Sequence, residues 1–334
     1  MPKRNAMSVA SLDHAHVWHP FTQMRDWLRS RPLVLVSGKG AVLRSEEGRD
    51  YLDANSSIWT NLHGHRHPRL DKAVRRQLDK VAHVSALGLA NVPAARLAAA
   101  LSRKASLPKV FFSDDGSTAI ETALKLAHEF AIRTRGHGKR TRFLSLHGAY
   151  HGDTVGAGSL GHIDLFHRSY SGLLFPTDAV MSPYCYRCPF NRARPEAADA
   201  RTYRRCQWEC VGKVAKAVGK ASKSKRPYAA FVYEPVVQGA AGMIMQPEGW
   251  LGRVAEITRS HEMLLVADEV MTGFGRTGGP SLFAGHNHGV VPDLMAVAKG
   301  LSGGYMPMAG TLASQPIFDA FLGEYGEFKT FFHG

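Results

Sequence analysis

From Pro108 onward the chain alternates short apolar runs with stretches whose apolar residues recur every three or four positions. The runs are Val110-Phe111-Phe112, Phe143 to Leu146, Tyr228 to Tyr233, Leu264 to Ala267 and Leu294 to Val297, and each stops at polar residues. Short apolar runs with abrupt polar ends read as strands buried on both faces. Between them, Ile120, Ala123, Leu124 and Ala127 keep helical spacing, as does Leu251 to Ile257. Strand and helix in alternation predict an α/β fold with a mostly parallel sheet covered by helices. Ligands of such sheets bind outside the carboxyl ends of the strands.

Upstream, the pattern predicts a strand at Leu33 to Val36 and a hairpin through Gly38-Lys39-Gly40 and Glu46-Glu47-Gly48-Arg49. Leu70, Val74, Leu78 and Val81 predict a helix, and a second follows Pro93. The segment 183–226 breaks the alternation and reads as a surface excursion with one helix near Val211 to Val218. The expected division is an N-terminal segment, 1–68, and a large domain, 69–334.

Composition changes this picture little: of 334 residues 44% are hydrophobic and 21% charged, which excludes wholesale disorder, collagen and coiled coil. No apolar run approaches the ~18 to 20 residues of a membrane span, and polar residues and histidines follow Met1-Pro2-Lys3-Arg4 where a signal peptide would have its apolar core. The expectation is a soluble cytoplasmic protein with no membrane partner. Net charge is +14, but twelve Lys or Arg against three acids lie between Cys185 and Arg226 alone. So local an excess does not make nucleic acid the expected partner.

All four cysteines fall in that segment: Cys185, Cys188, Cys206 and Cys210. Their spacing approaches that of a zinc site, so a structural zinc clip and reduced packing cysteines both stay open. His63-Gly64-His65-Arg66-His67 is assigned no metal.

Three strand ends carry chemistry. Ser113-Asp114-Asp115-Gly116-Ser117-Thr118 leads from a strand into a helix, a turn that aims N–H groups at one point and suits a phosphate, or is simply an N-cap. Asp268 ends the run Leu264 to Ala267, where a carboxylate can hold a cationic heterocycle. Lys299 follows Leu294 to Val297, where burial would lower its pKa and make it a carbonyl-condensing nucleophile. A phosphate cradle, a strand-end Asp and a strand-end Lys on one sheet are what pyridoxal 5'-phosphate requires.

Gly116-Ser117-Thr118-Ala119-Ile120-Glu121, Tyr150-His151-Gly152, Glu234-Pro235 with Gln238-Gly239, Asp268 through Gly278, and Lys299-Gly300 resemble, in order, the class III pyridoxal-phosphate aminotransferases. The resemblance implies an aspartate aminotransferase-like large domain. It makes Lys299 the Schiff-base lysine and Asp268 the partner of the ring nitrogen. Gly116 and Ser117 would bind phosphate, and Tyr150 would stack on the ring. Arg276 would bind a substrate carboxylate, with Glu234 and Gln238 near the ring oxygen or Arg276. A homodimer with a shared active site is implied too. Relatives continue past Gly334 into a small C-terminal domain, so the expectation is of a C-terminally shortened member.

Within the family, Trp18-His19-Pro20-Phe21-Thr22-Gln23-Met24 and Asn55-Ser56-Ser57-Ile58-Trp59 are similar to the branch that makes 7,8-diaminononanoate for biotin. That similarity implies amino transfer from S-adenosylmethionine or lysine to 8-amino-7-oxononanoate, with Phe21 and Trp59 walling the substrate site. Two alternatives stay open: an ω-amino acid aminotransferase of 4-aminobutyrate or ornithine type, and an inactive relative with a binding role.

Overall fold

Glycine turns shape the N-terminal part of the computed structural model, which describes residues 7–136, 142–193, 204–224 and 226–334. The chain divides into two units, 1–83 and 84–334. In the first, Leu35–Lys39 (β1), Val42–Ser45 (β2) and Asp50–Leu52 (β3) form an antiparallel sheet. The helix Pro68–Leu78 follows, its proline at the first turn where no N–H is needed. Gly64 adopts φ +80°, and a Cβ there would fall 2.9 Å from the Gly40 Cα, so only glycine allows the two backbones to pair.

The turn Ser56–Trp59 is unusual because all four residues have positive φ, between 50° and 63°. A left-handed turn of non-glycine residues costs roughly 1–2 kcal/mol per residue, so it needs outside support. Asp53 supplies it, accepting from the Ser57 N–H and hydroxyl, each at 2.8 Å, while His65 Nε2 lies 3.0 Å from the same carboxylate. The Ser57 N–H, opposed by burial and helped by His65, holds the Asp53 carboxyl below the usual carboxylate range.

The second unit is built on seven strands: Lys109–Ser113 (β4), Arg142–Leu146 (β5), Asp178–Val180 (β6), Tyr228–Tyr233 (β7), Leu264–Asp268 (β10), Leu294–Val297 (β11) and Ala309–Ala313 (β12). Val237–Gln238 (β8) and Ile244–Met245 (β9) form a separate two-stranded ribbon. The sheet order is β4-β12-β11-β10-β7-β5-β6. Only β12 runs against its neighbours, pairing antiparallel with both β11 and β4. The mostly parallel sheet expected from the apolar runs is therefore present, with one reversed strand inserted. Every residue of β7, an interior strand beside the central β10, is buried.

The helix Gly116–Arg135 lies on β4, β11 and β12 through Ala119, Ile120, Ala123, Ala127 and Ala131, small residues that let it approach the sheet closely. It runs well beyond the predicted Ile120 to Ala127 because a capping box starts it: Asp115 Oδ1 accepts from the Thr118 N–H at 2.9 Å, and the Thr118 hydroxyl accepts from the Asp115 N–H at 3.0 Å. Another face of the sheet is covered by Trp250–Ser260 and Glu209–Lys223.

In the excursion the predicted helix is longer than Val211 to Val218, spanning Glu209–Lys223. Its inner face is Cys210, Val214, Val218 and Ala221, and Lys213, Lys216, Lys220 and Lys223 point to solvent. Arg194, Glu196, Asp199, Arg201 and Lys225 lie outside the described residues. The zinc expectation gains no support. Cys185, Cys188, Cys206 and Cys210 are free thiols, and among the described residues no three His, Cys, Asp or Glu side chains gather as metal ligands. Burial first, then the neighbouring thiols, pushes the Cys185 thiol up to about 11 and the Cys210 thiol up to about 12. Two of the four serve as apolar packing instead. Among the described residues no helix is long and apolar enough to cross a membrane.

Candidate active site

Because β12 is antiparallel to both β11 and β4, the carboxyl ends of β4, β11, β10, β7 and β5 all lie along one edge of the sheet. Ser113, Val297, Asp268, Tyr233 and Leu146 end these strands, so Gly116, Lys299, Asp268, Glu234 and Tyr150-His151 are delivered to the same edge. This is the edge at which parallel sheets bind ligands.

Lys299 follows β11 with φ 35° and opens a single 3-10 turn, a strained backbone for a lysine. Burial lowers its pKa from the ordinary lysine value. The charges of Asp268 and Glu234 oppose that shift, and the Arg276 guanidinium adds to it. A lowered pKa favours the neutral amine, the form that attacks a carbonyl. The influence of Arg276 on Lys299 places the two cations at one site, as the sequence suggested. Burial also draws the Arg276 pKa down.

Asp268 is buried, and its Oδ2 lies 2.7 Å from His151 Nδ1, itself fully buried. Burial alone would lower the His151 pKa. The hydrogen bond to Asp268 and its charge, then that of Glu234, outweigh burial and raise it. The Tyr150-His151-Gly152 motif thus contains a direct buried partner of Asp268, a role that the sequence did not indicate for His151. Its neighbours Tyr150 and Gly152 carried the motif, and burial of an imidazole against a strand-end carboxylate has no local sequence signal.

Tyr150 is half-buried and donates its hydroxyl to Asp153 at 2.8 Å, a second partner not anticipated. Burial first, then the Asp153 hydrogen bond, raises the phenol pKa, so Tyr150 stays neutral. Glu234 accepts from the Gly239 N–H at 2.8 Å, and burial pushes its carboxyl up to about 7. Gln238 is fully buried and donates to the His147 carbonyl at 3.0 Å.

The Ser117 hydroxyl is tied to Thr154, accepting from its N–H at 3.0 Å and lying 2.7 Å from its hydroxyl. Thr154 thus braces the turn marked in the sequence as a candidate phosphate cradle, a contact the sequence had not indicated. The capping box uses the N–H of Thr118 and leaves those of Gly116 and Ser117 out. Two glycines hold the cradle close. A Cβ at Gly116 would lie 2.7 Å from Val270 Cγ1, and one at Gly152, with φ +122°, would lie 2.3 Å from Ser117 Oγ and 2.8 Å from its Cα. Gly152→Ala is accordingly expected to cost about 2–3 kcal/mol in denaturant melts, because clash and backbone strain coincide. An unchanged midpoint would show that the loop can shift without cost.

These residues fit pyridoxal 5'-phosphate. A helix N-terminus suits the phosphate, a carboxylate the ring nitrogen and a lysine of lowered pKa the aldehyde. His151 Nε2 and Gln238 Oε1 are buried polar atoms with no partner among the described residues, as expected where a polar group is to be received. Phe21 and Trp59 belong to the 1–83 unit, Phe21 exposed at φ 52° and Trp59 half-buried in the left-handed turn.

A family model described as aminotransferase class III matches residues 25–333. The chain belongs to the class III aminotransferases. Among similar members, the adenosylmethionine-8-amino-7-oxononanoate aminotransferase of Nitratidesulfovibrio vulgaris is 48% identical over 98% of this chain, which spans 58% of that protein's length. The solved structure of the enzyme of the same name from Methanocaldococcus jannaschii aligns with a TM-score of 0.86 and 36% identity, covering 97% of this chain and 69% of that one. An amine transaminase of an uncultivated Pseudomonas species, solved in its PLP-bound form, aligns with a TM-score of 0.83 and 32% identity, covering 95% of this chain and 69% of that one. The seven-stranded sheet is thus the sheet of family members solved with the cofactor.

Proposed function

We propose that this chain serves biotin synthesis, moving an amino group from S-adenosylmethionine or lysine to 8-amino-7-oxononanoate to give 7,8-diaminononanoate with pyridoxal 5'-phosphate as cofactor. The observation that carries the reading is the 48% identity, over 98% of the chain, to a relative of that named activity. The convergence of Lys299, Asp268 and Glu234 on one sheet edge supplies the chemistry.

Bound, the cofactor supplies an electron sink for the carbon that gains or loses the amine. In this reading Lys299 Nζ would carry the proton between substrate and cofactor, taking it from the donor carbon that loses the amine and, in the second half-reaction, delivering one to the acceptor carbon that gains it. Asp268, oriented by its contact with His151, would hold a proton on the heterocycle nitrogen. Gly116 and Ser117, backed by Thr154, grip the phosphate, and the Tyr150 ring covers the cofactor face. Arg276 takes a substrate carboxylate through two parallel hydrogen bonds. The active form is a cytoplasmic homodimer with a shared site.

The test is a titration of the cofactor-loaded protein followed by its visible spectrum. S-adenosylmethionine or lysine should convert the spectrum, and 8-amino-7-oxononanoate should restore it. Conversion by 4-aminobutyrate or ornithine, with neither of the first two donors active, would overturn the substrate assignment.

A further inference from the structure

Arg276 sits on a loop, 273–283, that leaves the end of β10 and returns to the short helix Ala284–Asn287. Glycines at 275, 278 and 279 all have positive φ, between 77° and 95°, so the loop's path is not set by the ordinary preferences of its own backbone. Something else must hold it. Its base is fixed by Glu269, which accepts from the Thr272 hydroxyl at 2.7 Å, the Ala284 N–H at 3.0 Å and the Gly285 N–H at 2.8 Å. Phe274 adds an edge contact to the buried Phe283, with ring centroids 5.9 Å apart.

Within the loop the Gly275 N–H donates to the Leu282 carbonyl at 2.9 Å and the Gly278 N–H to the Gly275 carbonyl at 3.1 Å, and one side chain spans 278–281. Asn287 Oδ1 accepts from the Ser281 N–H at 2.8 Å, and Asn287 Nδ2 donates to the Gly278 carbonyl at 2.9 Å and the Ser281 carbonyl at 3.2 Å. Its carboxamide fills the space beside Gly279, where a Cβ would fall 2.5 Å from Asn287 Cγ. An amide is the group that can do this, since the loop offers it one N–H and two carbonyls together.

We propose that Asn287 is a positioning residue for substrate specificity: by latching 278–281 it fixes the loop that carries Arg276, and so sets how strongly the site prefers a substrate bearing a carboxylate. The inference rests on the reading of Arg276 as the carboxylate partner. Asn287 touches neither cofactor nor substrate in this account, and its effect reaches the reaction only through the guanidinium. A bidentate pair depends on the angle and distance of the fork, so a loosened loop weakens acid binding first.

The experiment compares, in the holoenzyme, 8-amino-7-oxononanoate with an analogue carrying a methyl group in place of the carboxylate. Asn287→Ala should raise KM for the acid roughly 10-fold, with kcat, the KM of the methyl analogue and the cofactor spectrum unchanged. Asn287→Asp should not rescue, because its carboxylate keeps the Ser281 contact but faces two carbonyl oxygens. Gly279→Ala, which displaces the carboxamide without removing it, should act in the same direction and covers the case in which the Asn287 variants fold poorly. If Arg276→Ala abolishes the preference for the acid while Asn287→Ala and Gly279→Ala leave it intact, the latch is overturned and the carboxylate reading stands. If Arg276→Ala leaves the preference unchanged, the carboxylate reading falls and the latch with it.

Discussion

Lys299→Ala is expected to reduce amino transfer by more than about a thousandfold, roughly 4 kcal/mol of barrier, while the protein still takes up cofactor noncovalently. The phosphate and ring contacts come from other elements: Gly116 and Ser117 at a helix start, Tyr150 after β5 and Asp268 on β10. Borohydride reduction of the loaded protein followed by peptide mapping should place the pyridoxyl label on Lys299, and the alanine variant should carry none. Label on any other lysine would sink the assignment. Burial lowers the Lys299 pKa, and the nearby Arg276 charge adds to the shift. Its labelling rate should therefore level off at a lower pH than that of solvent-exposed lysines such as Lys213.

Asp268→Asn should slow the reaction at least ~100-fold, about 2.7 kcal/mol of barrier, with the fold intact, because the amide has the carboxylate's shape without its charge. A loss below ~10-fold, about 1.4 kcal/mol, would mean that Asp268 is not the partner of the ring nitrogen. A second readout separates this role from packing. In the native protein the Asp268 hydrogen bond and charge overcome burial to raise the His151 pKa. Without them burial prevails, and NMR titration should find the His151 pKa reduced in the variant. The sign also sets a pH dependence. Since the folded-state value is raised, the pair's contribution to stability is complete below the ordinary histidine value of 6.5 and is lost as pH rises through the raised value.

Much of this molecule was legible along the chain. Lys299, Asp268 and Gly116 each sit where an apolar run meets polar residues, a local signal, and a parallel sheet brings all such ends to one edge. Strands β4, β5, β7, β10 and β11 were readable for the same reason. β12 was not, because Ala309-Gly310-Thr311-Leu312-Ala313 offers one large apolar side chain, and it becomes a strand by filling the gap between β11 and β4.

Other features were decided by the tertiary structure. His151 meets Asp268 across 117 residues, and Ser117 meets Thr154 across 37. The left-handed turn Ser56–Trp59 exists because Asp53 and His65 support it, not because its residues favour it. The cysteine spacing left a zinc clip and packing thiols both open, and the folded helix Glu209–Lys223 turns Cys210 into the apolar layer. Asn287 carries no motif and acquires its place from three loop groups that fall within reach of one carboxamide. Apolar periodicity and strand-end chemistry are properties of neighbouring residues, so the sequence by itself determined most of the parallel sheet and the family to which the chain belongs. Hydrogen-bond partners and burial depend on which distant segments share a volume, so only the folded chain decided what tunes and positions them.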